Sequence, residues 1–275
     1  MAHAGGEKWT NTKLSQTITF PYKFYKAKFY NWINCAVMTS SFLLCKVFMD
    51  RLTYGNRFNL DRWNDAVTKR PPHVGLITVS NHHCCVDDPG LLGLLPASTI
   101  MQYKLMRWTL AANNICFTSF PLTLLFTSGR VVPVVRGDGI YQPGVDWAIE
   151  KLDEGDWVHI FPEGGVNMAK TPMRIKWGIS RLIMEAKTPP IVLPYWHEGM
   201  DDLLPNYKPY IPRPFKKVTF NVGEPIHVDN FIQDHRRHKL SLAETRIRIT
   251  NHIQDRLYEL GRKTAKLHLA RSPQH

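Results

Sequence analysis

A chain of 275 residues with 44% hydrophobic content is long enough to bury one sizeable core, and no composition shift marks a hinge between two. A formal charge of +12 calls for an anionic partner, nucleic acid or an acidic membrane surface. No nucleic-acid reading element is found, which favours the membrane. Five cysteines, Cys35, Cys45, Cys84, Cys85 and Cys116, form neither a CxxC pair nor a Cys/His zinc spacing, so neither a disulfide framework nor a structural metal is suggested, and no cofactor is expected.

Residues 1 to 17 are polar. Tyr22, Phe24, Tyr25, Phe29, Tyr30 and Trp32 then alternate with Lys23, Lys26 and Lys28, a mixture suited to the head-group layer of a bilayer. The apolar run Trp32 to Cys45 follows. As a helix rising about 1.5 Å per residue it covers roughly 20 Å, short of the roughly 30 Å hydrocarbon core. Trp32, Ile33, Val37, Phe42, Leu43 and Leu44 are therefore expected to dip into the interface or lie along it; the alternative is an ordinary core helix. On this reading residues 1–50 form a polar N-terminus and interfacial anchor, and residues 51–275 the catalytic domain. No secretory signal is expected, because the first apolar stretch starts late and lacks a small-residue cleavage site.

From Gly75 onward short apolar runs alternate with amphipathic segments, which predicts an α/β fold with a mixed, largely parallel sheet covered by helices. The predicted strands are Leu76 to Ser80, Val131 to Val135, Trp157 to Phe161, Ile191 to Tyr195 and Val218 to Val222. Val145, Ala148, Ile149 and Leu152 share one helical face, as do Ile179, Leu182, Ile183 and Ala186 before Pro189 and Pro190. A capping box, Ser241 to Glu244, opens a last helix carrying Ile249, Ile253, Leu257 and Leu260.

Polar residues gather just beyond these strands: Asn81 and His82 after the first, Arg136 after the second, Glu163 after the third, His197 after the fourth. Ligands of open α/β sheets bind beyond the carboxyl ends of the strands, so these residues can converge. Asp88 and Pro89 read as an N-cap and first helical residue, which places His82 in the turn ahead. A tight turn folds Asp87 back onto the imidazole, fixing its tautomer and leaving the other nitrogen to take a proton from an alcohol, a step worth about 10²- to 10⁴-fold. Ser80, Cys84 and Cys85 are rival nucleophiles near His82. Arg136 is suited to gripping a phosphate. Glu163, between Pro162 and Gly164, is suited to a substrate hydroxyl or to orienting Arg136. Arg174, Lys176 and Arg181 extend the positive field or form a solvated helix face.

Asn81-His82 with Asp87, Gly129 to Arg136, Phe161-Pro162-Glu163-Gly164, and Ile191-Val192-Leu193-Pro194 follow the order of the four blocks of the glycerolipid acyltransferases, and over about residues 75 to 205 the chain resembles that family. Its transacylase branch is nearest in Lys104 to Trp108, Gly137 to Gln142, Gly155 to Gly164, Lys176 to Ile179 and Trp196 to Met200. The resemblance implies a CoA-independent O-acyltransferase that moves an acyl chain from a phospholipid such as phosphatidylcholine to monolysocardiolipin and so remodels cardiolipin. It implies His82 as base, Asp87 as its partner, and Asn81, Arg136, Glu163, Gly164 and Lys176 as substrate contacts. It further implies peripheral or monotopic attachment to mitochondrial membranes facing the intermembrane space, with phospholipids and lysophospholipids as partners and an oligomer or larger complex left open. The rivals are an acyl-CoA-dependent lysophospholipid acyltransferase and a membrane-binding scaffold without turnover. A lipase is a weaker reading, since no G-x-S-x-G elbow appears.

Overall fold

The computed structural model describes residues 21–27 and 29–270; the polar residues 1 to 17 and Lys28 lie outside them. In chain order the elements are α1 (Tyr30–Leu52), β1 (Thr53–Tyr54), β2 (Arg57–Phe58), α2 (Leu60–Thr68), β3 (Leu76–Ser80), α3 (Asp87–Leu92), α4 (Ala97–Ile100), a 3₁₀ turn (Tyr103–Leu105), β4 (Trp108–Ala112), α5 (Asn113–Cys116), α6 (Phe120–Ser128), β5 (Val131–Val134), α7 (Pro143–Asp153), β6 (Trp157–Ile160), α8 (Gly178–Glu185), β7 (Ile191–Glu198), α9 (Met200–Leu203), β8 (Lys216–Lys217), β9 (Thr219–Val222), α10 (Asp229–His238) and α11 (Leu242–Leu269).

Seven strands form one sheet in the order β2-β9-β7-β3-β6-β4-β5. Every neighbouring pair is parallel except β7 and β9, so β2 and β9 run against the other five. β1 and β8 pair separately. All residues of the central strands β3 and β6 are buried, because helices cover both faces and leave no solvent side for polar alternation. Ile77, Val79, Val158 and Val192 meet α7, α8 and α11 on one face. Leu76, Leu193, Tyr195 and Phe220 meet α1, α2 and α3 on the other.

The five predicted strands are present, and Ser241 caps α11 by accepting the Glu244 backbone N–H at 3.1 Å. β4 was not predicted, although it lies between β5 and β6. Its Trp-Thr-Leu-Ala-Ala sequence ends in two alanines and runs into α5 with no turn residue to mark the boundary. The expected N-cap also differs. α3 starts at Asp87, with Val86 at the cap position, while both oxygens of Asp88 are taken by Arg107, one of them at 2.8 Å from Nε.

α1 is longer than the apolar run and, at 23 residues, long and apolar enough to cross a membrane by length and composition. One stripe of it, Tyr30, Asn34, Met38, Phe42 and Met49, is nevertheless buried against the protein. Tyr30 donates to the Thr127 carbonyl at 3.2 Å and Asn34 to that of Ser128 at 2.8 Å. Phe42 was expected among the lipid-facing residues; it is 3% exposed, beneath the Arg107 guanidinium at 5.1 Å, because it falls four residues after Met38 on the inward stripe. Trp32 and Leu44, at 79% and 72% exposure, face away from the core, as does Val47; Ile33, Val37 and Leu43 are half-buried.

Candidate active site

β3 ends at Ser80, and the turn that follows winds round the first carboxylate of α3. Asp87 is wholly buried, and its Oδ2 accepts from the backbone N–H groups of His83 and Cys84 at 2.7 and 2.8 Å and lies 3.0 Å from His82 Nδ1. A carboxylate two residues or so beyond a turn satisfies the turn's free N–H groups, and here that same closure brings the imidazole onto it. Burial alone would push the Asp87 carboxyl up; the imidazoles of His197 and His82 outweigh it and hold the group well below the usual carboxylate range. The carboxylate can only accept, so His82 carries a proton on Nδ1 toward it. Its ring is stacked on Phe161 with centroids 3.9 Å apart and 14° between planes. Nε2, which has no hydrogen-bond partner among the described residues, is left to exchange protons at the 16% of the side chain that remains open.

Glu163 sits differently from expectation. It is 1% exposed and turned inward: Oε2 accepts the His82 backbone N–H at 3.3 Å, and Oε1 accepts from Tyr258 Oη at 3.2 Å and Asn167 Nδ2 at 3.4 Å. Burial raises its pKa against these donors. It braces the His82 backbone, and among the described residues it forms no ion pair with Arg136. The Arg136 guanidinium lies over Gly165 instead: a Cβ built there would stand 3.4 Å from Nη2. Gly164 takes φ +79°, a left-handed conformation that a larger residue would strain, and the Lys176 stem lies 3.3 Å from its Cβ position. Arg136 and Lys176, both exposed, thus flank the turn that carries Glu163.

Asn81 faces inward. Its amide donates to the His197 carbonyl at 2.9 Å and accepts the His197 N–H at 3.1 Å, fastening the end of β3 to β7. His197 lies within β7 rather than after it, and its Nε2 is 3.4 Å from Asp87 Oδ2. Burial brings the His83 imidazole down to about 4, so it is neutral at physiological pH. Cys84 is buried with its thiol on the Leu204 carbonyl, which removes it as a nucleophile; Cys85 is exposed. Arg181 does not extend a free positive field: it is buried and tied to Asp146, Glu185 and the Ile140 carbonyl. Sequence reasoning missed Tyr258, Arg107 and the stacking role of Phe161. Tyr258 adjoins Leu257 of the apolar stripe, and nothing local distinguishes it from a packing residue.

The fold and its motif order define a class. Residues 65–198 match the family model described as Acyltransferase. The 1-acyl-sn-glycerophosphate (LPA) acyltransferase PlsC of Thermotoga maritima shares the fold, with a TM-score of 0.51 at 19% identity over 95% of this chain and 98% of that one. The protein is an O-acyltransferase with a glycerolipid acyltransferase fold.

Within that class, the chain is 42% identical over 253 residues to a Tafazzin of Drosophila melanogaster, covering 92% of this chain and 67% of the relative. It is 41% identical over 177 residues to an N-acylphosphatidylethanolamine synthase of Arabidopsis thaliana, covering 62% of each. The chain belongs to the tafazzin family, and it acts as a phospholipid acyltransferase.

Proposed function

We propose that the protein transfers a fatty acyl group, without CoA, from a phospholipid such as phosphatidylcholine to the free hydroxyl of monolysocardiolipin, with His82 as general base. The observation that carries this reading is the His82–Asp87 pair: an imidazole fixed through Nδ1 on a buried carboxylate, with Nε2 unengaged. Nε2 takes the hydroxyl proton as the oxygen attacks the donor ester carbonyl. The tetrahedral intermediate collapses, the ester C–O bond breaks, and the proton passes from His82 to the departing lysophospholipid oxygen. One ester replaces another, so no activated thioester is required thermodynamically.

Asp87 orients the base and stabilises its cation. Arg136 and Lys176 are placed to meet lipid phosphates, and Gly164 lets the backbone come close to them. Asn81 and Glu163 act by holding the loop. Trp32, Ile33, Val37, Leu43 and Leu44 form the interfacial anchor ahead of a catalytic domain over residues 51–275. α1 is bound along one stripe, which favours a helix lying in the interface over one that crosses it. The family resemblance supports a location on mitochondrial membranes, and we propose that the enzyme faces the intermembrane space.

The similarity to the Arabidopsis N-acylphosphatidylethanolamine synthase favours one second reading, an amine acceptor, for which the same base serves. Both are read in liposomes holding labelled phosphatidylcholine, monolysocardiolipin and phosphatidylethanolamine. CoA-free appearance of label in cardiolipin supports the proposal. Label in an amide of phosphatidylethanolamine supports the second reading, and transfer that begins only on adding acyl-CoA overturns the transacylase.

A further inference from the structure

We propose that His197 is a positioning residue of the acyl transfer, acting through Asp87 as a second imidazole on the same carboxylate. The inference rests on the assignment of His82 as base. His197 is completely buried on β7, 116 residues from Asn81, and its backbone is clamped in both directions by the Asn81 amide. That clamp aims its ring at the floor of the His82 loop, where Nε2 lies 3.2 Å from the Asn81 carbonyl and 3.4 Å from Asp87 Oδ2.

Both of those oxygens only accept, so Nε2 must carry the proton. Nδ1 is buried with no partner among the described residues, which leaves the ring no alternative donor. Asp87 Oδ1 is likewise buried and has no partner among the described residues, so within them the carboxylate is anchored through Oδ2. Three hydrogen bonds reach that atom, from His82 and two backbone N–H groups, and His197 Nε2 stands 3.4 Å from it while hydrogen-bonded to the Asn81 carbonyl at 3.2 Å. Loss of the His197 ring removes one hydrogen bond from the Asn81 carbonyl and leaves the three bonds on Oδ2 in place.

The charged and titratable groups around this centre include His82, His83, Cys84 and Cys85 of the loop, Asp87 of α3, His159 of β6 and Glu163 beyond it, Tyr195 and Glu198 of β7, and the Lys170–Asp201 ion pair. Asp87 raises the pKa of His197 against the burial that lowers it. Standing behind Oδ2, His197 shares the carboxylate with His82 and holds it where it meets that ring. Without His197 the Asp87 carboxylate is directed at His82 alone, and the acid limb of the rate profile is expected at higher pH.

Two polar substitutions separate this from mere packing. Glutamine can place an N–H where Nε2 stands; asparagine reaches only as far as Nδ1. In full-length protein on liposomes, His197→Gln is expected to keep turnover within about threefold, with the acid limb in place. His197→Asn is expected to lose about 10- to 100-fold, a range typical of residues that orient a reacting imidazole, with the limb raised by about half a pH unit or more. Titration of the His82 ring by NMR reads the same shift where turnover is too slow. Equal losses in both variants, or a limb that does not move in His197→Asn, overturn the proposal. Parallel His82→Ala protein keeps the two readings apart: an active His82→Ala enzyme sinks the base assignment, whereas an inactive one beside an unmoved limb sinks the role of His197 alone.

Discussion

Replacing Asp87 with asparagine keeps the volume and removes the charge. Oδ2 accepts three hydrogen bonds at 2.7, 2.8 and 3.0 Å. Bonds to an ionised group contribute roughly 1.5–3 kcal/mol each against about 1 for neutral partners. The amide oxygen can still take the two backbone N–H groups, but its NH₂ group must then occupy the Oδ1 site, buried and with no acceptor. A destabilisation of about 2 kcal/mol follows, seen as a Tm lower by about 4–8 °C. The effect on turnover is far larger, because the imidazolium loses its counter-charge and Nδ1 its fixed tautomer. By analogy with the loss of an orienting aspartate elsewhere, kcat falls on the order of 10⁴-fold, with KM nearly unchanged, in a CoA-free transfer assay. The Asp87 pKa is depressed on folding, so its stabilising contribution is complete above the unfolded carboxylate value of about 3.9 and fades as the pH drops below it toward the folded value. The stability gap between wild type and Asp87→Asn should therefore narrow in acid. A variant with kcat within tenfold of wild type, or with an unchanged gap below pH ~4, refutes the assigned role.

Arg107→Met strands Asp88 with 13% of its side chain exposed and is expected to cost about 3 kcal/mol; denaturant unfolding should show the loss, and adding Asp88→Asn should recover part of it. Gly155→Ala forces a side chain onto φ +81° and into overlap with the Pro72 carbonyl oxygen. It should lower Tm while leaving the rate per folded enzyme unchanged, since the residue lies at the opposite end of β6 from Phe161. Trp32→Glu combined with Leu44→Asp should weaken sedimentation with anionic vesicles at unaltered Tm, because both residues are already solvent-facing; undiminished binding would remove them from the anchor.

The sheet was legible where strands are buried on both faces and bounded by turns, as at Leu76–Ser80 and Trp157–Ile160. It was not legible at Trp108–Ala112, where small residues lead directly into a helix. The His82–Asp87 contact could be read because the two lie five residues apart, within one turn's reach. The supporting residues could not: Tyr258 reaches Glu163 across 95 residues of chain, and Asn81 reaches His197 across 116. Such contacts depend on strand order, which local periodicity does not encode. Glu163 and Arg181 were misplaced for a related reason, since a charged side chain beside a strand end can turn outward to a ligand or inward to a buried partner, and only the packed structure decides. Phe42 shows the same limit within one helix: composition marks an apolar run, but which stripe faces the protein is fixed by what lies beneath it.

Whether His82 is the base is read from the initial rate of CoA-free acyl transfer from phosphatidylcholine to monolysocardiolipin by His82→Ala beside wild type in the same liposomes at neutral pH. A base at this position predicts a fall of about 10²- to 10⁴-fold with the thermal unfolding of the variant close to wild type. A folded His82→Ala enzyme that transfers within tenfold of wild type would contradict it.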